Sequence, residues 1–403
     1  MKSETPKWRF LRLGALTIVS GIATHESFKA LGSIEYIPPV DALHEPTPDG
    51  GRWPSISVIV PARNEERNLP RLLSTLLFQR YSDYEVIVID DQSSDDTPNI
   101  LKDWVARDKR LRVVQGKELP RSEGWLGKPY AMHQGVKQAR GEWLLFTDAD
   151  TAHSPLSISS SIAYAMAHKV DLLSLLPHFE LCTPAERVVM PVAFMGIMNL
   201  YPPHRVNDPR SKIAIANGQY MLIRREVYDA VGGIARVKEK IAEDLEFAQV
   251  VKSADYYLYI AEGMHLVSVR MYTNFGEIWE GWGKLSFKGR PVLALMTVSG
   301  VFFLTLMPVL MGIWASQAWR SSAQDETLHN RITAIWTSLL AGWCVLMPLT
   351  YRRRIDKTLG LGPGWTLTQP VGVIIMAAIM LSSFIRLLTG KGVIWKGRTY
   401  HGE

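Results

Sequence analysis

Apolar and polar positions change rhythm several times along this chain. Ile56 to Val60, Glu85 to Ile89, Leu111 to Val114 and Trp143 to Phe146 are short, β-rich apolar runs, too short for helices and bounded by polar residues. Between them, Glu66 to Gln79, Thr97 to Arg107 and Pro129 to Arg140 have helical spacing. Strand and helix therefore alternate, which predicts an α/β domain with a mostly parallel sheet. Ligands of such sheets bind beyond the carboxyl ends of the strands. Later the rhythm disappears: Pro291 to Trp319, Ile332 to Tyr351 and Thr358 to Ile385 contain no charged residue. Each is long enough for a membrane-spanning helix of about 20 residues. Leu13 to Ala23 is more weakly apolar, follows Lys2, Lys7, Arg9 and Arg12, and is cut off by His25, Glu26 and Lys29. It predicts an uncleaved interfacial anchor rather than a signal peptide. Val188 to Leu200 is apolar apart from Asn199 but too short to span, and is either core or a segment resting on a membrane. With a proline-rich linker over 38–54, the expected organisation is anchor and linker at 1–54, an α/β domain at 55–290, and transmembrane helices with a basic tail at 291–403.

Charge refines this picture. The 403 residues carry a net charge of +6, but no basic run is interleaved with aromatics as a nucleic-acid platform requires. Nucleic acid is therefore not an expected partner. Arg352, Arg353, Arg354 and Lys357 flank apolar runs, as cytoplasmic membrane-edge residues do, so the α/β domain is expected in the cytoplasm. Three full spans would then leave Lys391, Lys396 and Arg398 outside, against the same rule. One run is consequently expected to be re-entrant or interfacial. The two cysteines, Cys182 and Cys344, form no metal-binding spacing, and a disulfide between them is not expected.

The candidate chemistry gathers where the predicted strands end. The first runs into Pro61-Ala62-Arg63-Asn64-Glu65-Glu66, the second into Asp90-Asp91-Gln92-Ser93-Ser94-Asp95-Asp96, and the fourth into Asp148-Ala149-Asp150. Side chains two apart on an extended chain share a face, and converging carboxylates repel unless a cation lies between them. A polar turn, with Asp150 or Ser154 capping the next helix, is the alternative reading of D-A-D. A nucleotide would suit this edge, yet no glycine-rich phosphate loop is present: Gly124-Trp125-Leu126-Gly127-Lys128 lacks the Walker spacing. A diphosphate would then be met by a divalent metal on Asp148 and Asp150, aided by a basic side chain such as Lys128.

The motifs V-I-V-P-A-R-N-E-E, I-D-D-Q-S-S-D-D-T, T-D-A-D-T and A-E-D at Ala242 to Asp244 resemble glycosyltransferase family 2 in order and spacing. The resemblance covers roughly 55–290 and implies a GT-A catalytic domain, a Rossmann-like, nucleotide-sugar-binding fold with inverting chemistry. It implies that Pro61, Arg63, Glu65 and Asp91 hold uridine, that Asp148 approaches the ribose or metal, that Asp150 binds Mg2+ or Mn2+, and that Asp244 is the catalytic base. The segments Gly124-Trp125-Leu126-Gly127-Lys128, Asn217-Gly218-Gln219-Tyr220, Arg270-Met271-Tyr272 and Gly281-Trp282-Gly283-Lys284 are similar to a membrane-bound branch associated with hopanoid and carotenoid glycosylation. That likeness implies a UDP-sugar donor and a lipid, isoprenoid acceptor, with Asn217, Gly218, Gln219, Glu243, Trp282 and Lys284 on the acceptor side. Trp279 and Trp282 also suit a plain interfacial anchor. His265 either completes the metal shell, holds a leaving phosphate, or is structural. A processive polysaccharide synthase, which usually carries Q-x-x-R-W here, a sugar nucleotidyltransferase, and a catalytically silent membrane scaffold are the competing readings.

Overall fold

The computed structural model describes residues 6–285, 306–389, 393–395 and 398–400. They divide into two compact units: residues 33–180 with 201–271, and the N-terminal helix with 181–200 and the chain from 272 onward. The expected boundary at 290 lies outside the described residues, as do 291–305 of the first apolar run.

The first unit contains strands β1 (Ile56–Ala62), β2 (Tyr84–Asp90), β3 (Leu111–Gln115), β4 (Trp143–Phe146), β5 (Thr151–His153), β6 (Leu172–Leu176), β7 (His178–Phe179), β8 (Met221–Arg224), β9 (Leu258–Glu262) and β10 (Val267–Val269). Seven of them form one sheet in the order β3-β2-β1-β4-β8-β6-β9, and β5-β10-β7 form a second, smaller sheet. Val58, Ile59, Val60, Leu144 and Leu145 have no exposed surface, because the central strands are covered on both faces. That explains their unbroken apolar runs, each such side chain contributing about 1.5–3 kcal/mol by burial. β3 lies at the sheet's edge, where only Leu111 is buried.

The pairing β1–β2, β1–β4, β2–β3 and β6–β9 is parallel, whereas β8 runs antiparallel to β4 and β6. The chain reaches β8 through the turn at 217–220, already at the carboxyl-end edge, so it has to run back. Between β1 and β4 the strand order reverses, making the switch point at which ligands of open α/β sheets bind. Helix Gly127–Val136 packs on β1 and β2, beside this point. A Cβ on its Gly135 would stand 2.5 Å from Ile89 Cδ1 and 2.8 Å from Ile59 Cγ2, so glycine permits the close approach that brings the first turn, with Lys128, to the carboxyl edge.

One expected helix is clearly shorter than its spacing predicts. Glu66 to Gln79 gives a helix only at Leu69–Leu76, because the Glu65 and Glu66 N–H groups bond to Thr97 Oγ1 and Asp95 Oδ2 of the neighbouring loop instead.

In the second unit, Leu13 to Ala23 forms the middle of a 27-residue helix, Pro6–Gly32. Leu13 packs with Met307, Met311 and Leu340, and Trp336 Nε1 donates to Thr17 Oγ1 at 3.1 Å. Among the described residues, Leu328–Thr358 and Pro363–Arg386 are long and apolar enough to cross a membrane. Arg352, expected at a membrane edge, is instead wholly buried. Its Nε donates to Asp356 Oδ1 at 2.7 Å, and Thr366 Oγ1 donates to Oδ2 at 2.7 Å. One helical turn separates the pair, so the ion pair forms within the helix, and Thr366 of the turn that follows binds the other Asp356 oxygen.

Candidate active site

The loops after β1 and β2 are sewn to each other. Arg63 Nη1 donates to the carbonyls of Asp91 at 2.6 Å and Gln92 at 3.3 Å. Asn64 and Gln92 both adopt positive φ, 53° and 56°, which turns the two loops toward one another. Not all of their carboxylates face a ligand. Asp90 accepts from Ser93 N and Gln115 Nε2, Asp95 from the N–H groups of Glu66 and Thr97, and Glu66 from Asp96 N. Much of the acidity read along this edge therefore serves as turn scaffolding. Asp91 and Glu65 are buried at the same place, 4% and 6% exposed.

β4 stops at Phe146, and 149–150 form a turn before β5. The same-face argument for an extended D-A-D does not apply, nor does a helix cap by Asp150, since β5 separates it from the helix that starts at Ser157; Ser154 Oγ instead accepts the Leu156 N–H at 3.4 Å just before that helix. Asp148 reaches Lys128, with Nζ to Oδ1 at 2.7 Å. The Asp150 carbonyl accepts the Arg270 N–H at 3.0 Å.

Beneath this loop lies a buried polar network that sequence reading did not identify. Thr147 Oγ1 donates to the Gln219 carbonyl at 2.8 Å, and Thr151 Oγ1 donates to the Asp148 carbonyl at 2.8 Å. Both hydroxyl protons are thereby used. His153 Nε2, 3.2 and 3.1 Å from the two hydroxyl oxygens, must then be the donor. Burial holds the His153 pKa down at about 3, so the ring is neutral and clamps the 147–151 loop to the turn at 217–219. The only signal in the sequence was T-x-x-x-T-x-H, which has no meaning until the turn folds.

The 217–219 turn closes on itself: Asn217 Nδ2 donates to Gln219 Oε1 at 3.0 Å, and Gln219 N to Asn217 Oδ1 at 3.2 Å. Gly218 N–H donates to Asp244 Oδ2 at 2.9 Å. A Cβ on Gly218 would stand 3.1 Å from both Asp244 Oδ2 and Lys128 Nζ, so glycine leaves room for both groups. Asp244 Oδ1 also accepts the Leu245 N–H at 2.8 Å, at the start of helix Glu243–Ser253. Glu243 Oε1 lies 2.7 Å from Lys128 Nζ.

Lys128 thus stands among three carboxylates. Desolvation opposes its charge, but Asp148, Glu243 and Asp244 together raise its pKa well above the usual value. Burial raises the pKa of Glu243, and Lys128 partly offsets this. The two motifs meet because their flanks are joined: Leu126 N–H donates to the Lys238 carbonyl at 2.9 Å, and Gly124, at φ +80°, packs against Glu239.

Other expected site residues lie elsewhere. The His265 ring stacks on Tyr36 with centroids 4.5 Å apart, and burial lowers its pKa. Among the described residues no three His, Cys, Asp or Glu side chains gather to hold a metal ion. Trp282 is in the second unit, its Nε1 donating to Met190 Sδ at 3.3 Å. The Lys284 side chain lies outside the described residues.

A mostly parallel sheet with carboxylates and a lysine at its carboxyl edge defines an α/β fold of the GT-A type. Residues 57–232 match the family model described as Glycosyl transferase family 2; with the similarly named relatives below, the chain is a glycosyltransferase. It is 29% identical over 241 residues to 4,4'-diaponeurosporenoate glycosyltransferase of Staphylococcus haemolyticus (strain JCSC1435), covering 59% of this chain and 62% of that protein. To the protein of the same name from Staphylococcus aureus (strain USA300) it is 25% identical over 356 residues, or 86% of this chain and 88% of the other. Among solved structures, the mannosyltransferase PcManGT from Pyrobaculum calidifontis, in complex with GDP-Man and Mn2+, shares the fold. Its TM-score is 0.54 at 18% identity, covering 93% of this chain and 97% of that one.

Proposed function

We propose that this glycosyltransferase transfers a sugar, with inversion, from a UDP-linked donor to an isoprenoid lipid in a membrane, with its α/β unit on the cytoplasmic side. The observation that carries the reading is the cluster of Lys128, Asp148, Glu243 and Asp244 around Gly218, at the switch point of the sheet. The staphylococcal relatives, whose name specifies a carotenoid acid as acceptor, and the two helices able to cross a membrane support a lipid acceptor. PcManGT, solved with a nucleotide sugar and Mn2+, supports a metal-assisted donor site.

In this reading Pro61, Arg63, Glu65 and Asp91 cradle the nucleoside. Asp148 and Asp150 offer hard oxygen ligands, suited to Mg2+ or Mn2+ when the donor's own phosphates complete the shell, as such ions are commonly held. Bound there, the ion supplies charge neutralisation for the leaving diphosphate. Lys128, kept protonated by its carboxylate neighbours, adds a fixed positive charge. Asp244 takes the proton of an acceptor hydroxyl. The Gly218 and Leu245 N–H groups hold its two oxygens in place, and each oxygen retains a further lone pair.

Asp150→Ala should abolish metal-dependent UDP binding. Equal affinity of the unaltered protein with and without chelator would contradict the metal assignment.

A further inference from the structure

Helix Gln369–Leu388 is fastened near both ends to other elements of its own unit. Near its start, a Cβ on Gly372 would stand 2.5 Å from the Val188 carbonyl oxygen of helix Pro184–Leu200. Near its end, Ser383 Oγ donates to the Gly283 carbonyl of helix Phe275–Leu285. Trp282 of that helix reaches Met190, so the three helices form one layer. The strand Val393–Trp395 that follows packs back on helix Phe275–Leu285.

Connectivity gives this layer a side. Glu180 and Tyr201, which flank 181–200, both belong to the sugar-transfer unit, so helix Pro184–Leu200 leaves and returns on one side of a membrane. Helix Phe275–Leu285 starts four residues after Met271 of the same unit. Its 11 residues extend about 16 Å, roughly half of the ~30 Å hydrocarbon thickness. A strand packed on that helix stays on the near side. The face of Gln369–Leu388 turned away from the protein is an apolar stripe of exposed Val371, Ile374, Leu381 and Ile385, followed by Arg386 and the basic tail residues Lys391, Lys396 and Arg398.

We infer that Gln369–Leu388, although long and apolar enough to cross, is an interfacial helix docked on the cytoplasmic leaflet, with the C-terminal tail on the same side as the sugar-transfer unit. The stripe enters the acyl chains, and the basic tail meets anionic headgroups. This identifies which apolar run does not span and places the tail's charges on the side that the positive-inside rule requires. It rests on the reading that Leu328–Thr358 crosses the bilayer.

The test is labelling of intact cells with a membrane-impermeant maleimide, using Glu326→Cys and Thr399→Cys separately in a Cys182→Ser, Cys344→Ser background. Glu326→Cys should react from outside, and Thr399→Cys only after permeabilisation. Reaction of both from outside overturns the proposal. If neither reacts from outside and alkaline carbonate strips the protein from membranes, the spanning reading fails and the proposal falls with it. Should the cysteine-free background misfold, a C-terminal epitope on the unaltered chain gives the same answer. Its survival of external protease until permeabilisation is expected, and its loss from intact cells overturns the inference.

Discussion

In the proposed mechanism Asp244 serves the acceptor and Lys128 the donor, so their variants should fail differently. Asp244→Asn keeps size and polarity but does not readily take a proton, so turnover should fall about a hundred- to ten-thousand-fold while UDP-sugar still binds. If the acceptor nucleophile is a carboxylate, already ionised at neutral pH, the loss should be much smaller. Wild-type transfer to a hydroxyl-bearing lipid would remove Asp244 from the base role. Lys128→Met leaves Glu243, 5% exposed, without its cation. Stability should fall by about 1–2 kcal/mol, below the usual 1.5–3 for a charged hydrogen bond at its upper end, because the lysine side chain is 36% exposed. The double variant Lys128→Met, Glu243→Gln should recover the stability but not the activity. Recovery of neither would show that the pair is not the reason. Each of these residues is legible in the sequence as an acidic or basic motif position. Their pairing is not, because Lys128 and Glu243 are 115 positions apart and meet only when the 124–128 segment is bonded to the turn before helix Glu243–Ser253.

At the scale of elements, the loop between β4 and β5 is held by a histidine that must stay neutral. The His153 pKa is about 3 in the folded chain against about 6.5 unfolded. Between those values the unfolded state binds a proton that the native state refuses. Stability is therefore fully present above pH 6.5 and is lost as pH falls toward 3, by about 1.4 kcal/mol per pH unit from this group. His153→Gln should lower the thermal midpoint at pH 7 and flatten its decline between pH 6.5 and 4; an unchanged slope would contradict the buried-neutral assignment. Gly218→Ala should impair turnover more than folding, because its methyl intrudes between Asp244 and Lys128 while the turn's own hydrogen bonds remain. Wild-type turnover would show that the cluster tolerates displacement. The strands themselves were readable from their apolar runs, since covered strands leave no choice of pattern. The D-A-D turn was not, because alternation says nothing about where a strand ends. The Arg352–Asp356 pair was visible at i,i+4 spacing but hidden by the neighbouring arginines, whose run suggests a membrane edge.

For the whole molecule, the proposed donor site falls at the sheet's switch point, and the apolar helices are what favours a lipid as the proposed acceptor. Composition revealed both parts. It could not reveal that 181–200, inserted between strands β7 and β8, packs with the apolar helices, since contacts between segments so distant in sequence leave no local pattern. The central claim is tested most directly by incubating membranes containing the enzyme with UDP-sugars labelled in the sugar, then extracting the lipids. Label should enter the lipid fraction from one or a few donors, stop on chelation, and fall sharply in Asp244→Asn. Label confined to polymer or to free sugar phosphate, with none in lipid from a folded enzyme, would contradict the account.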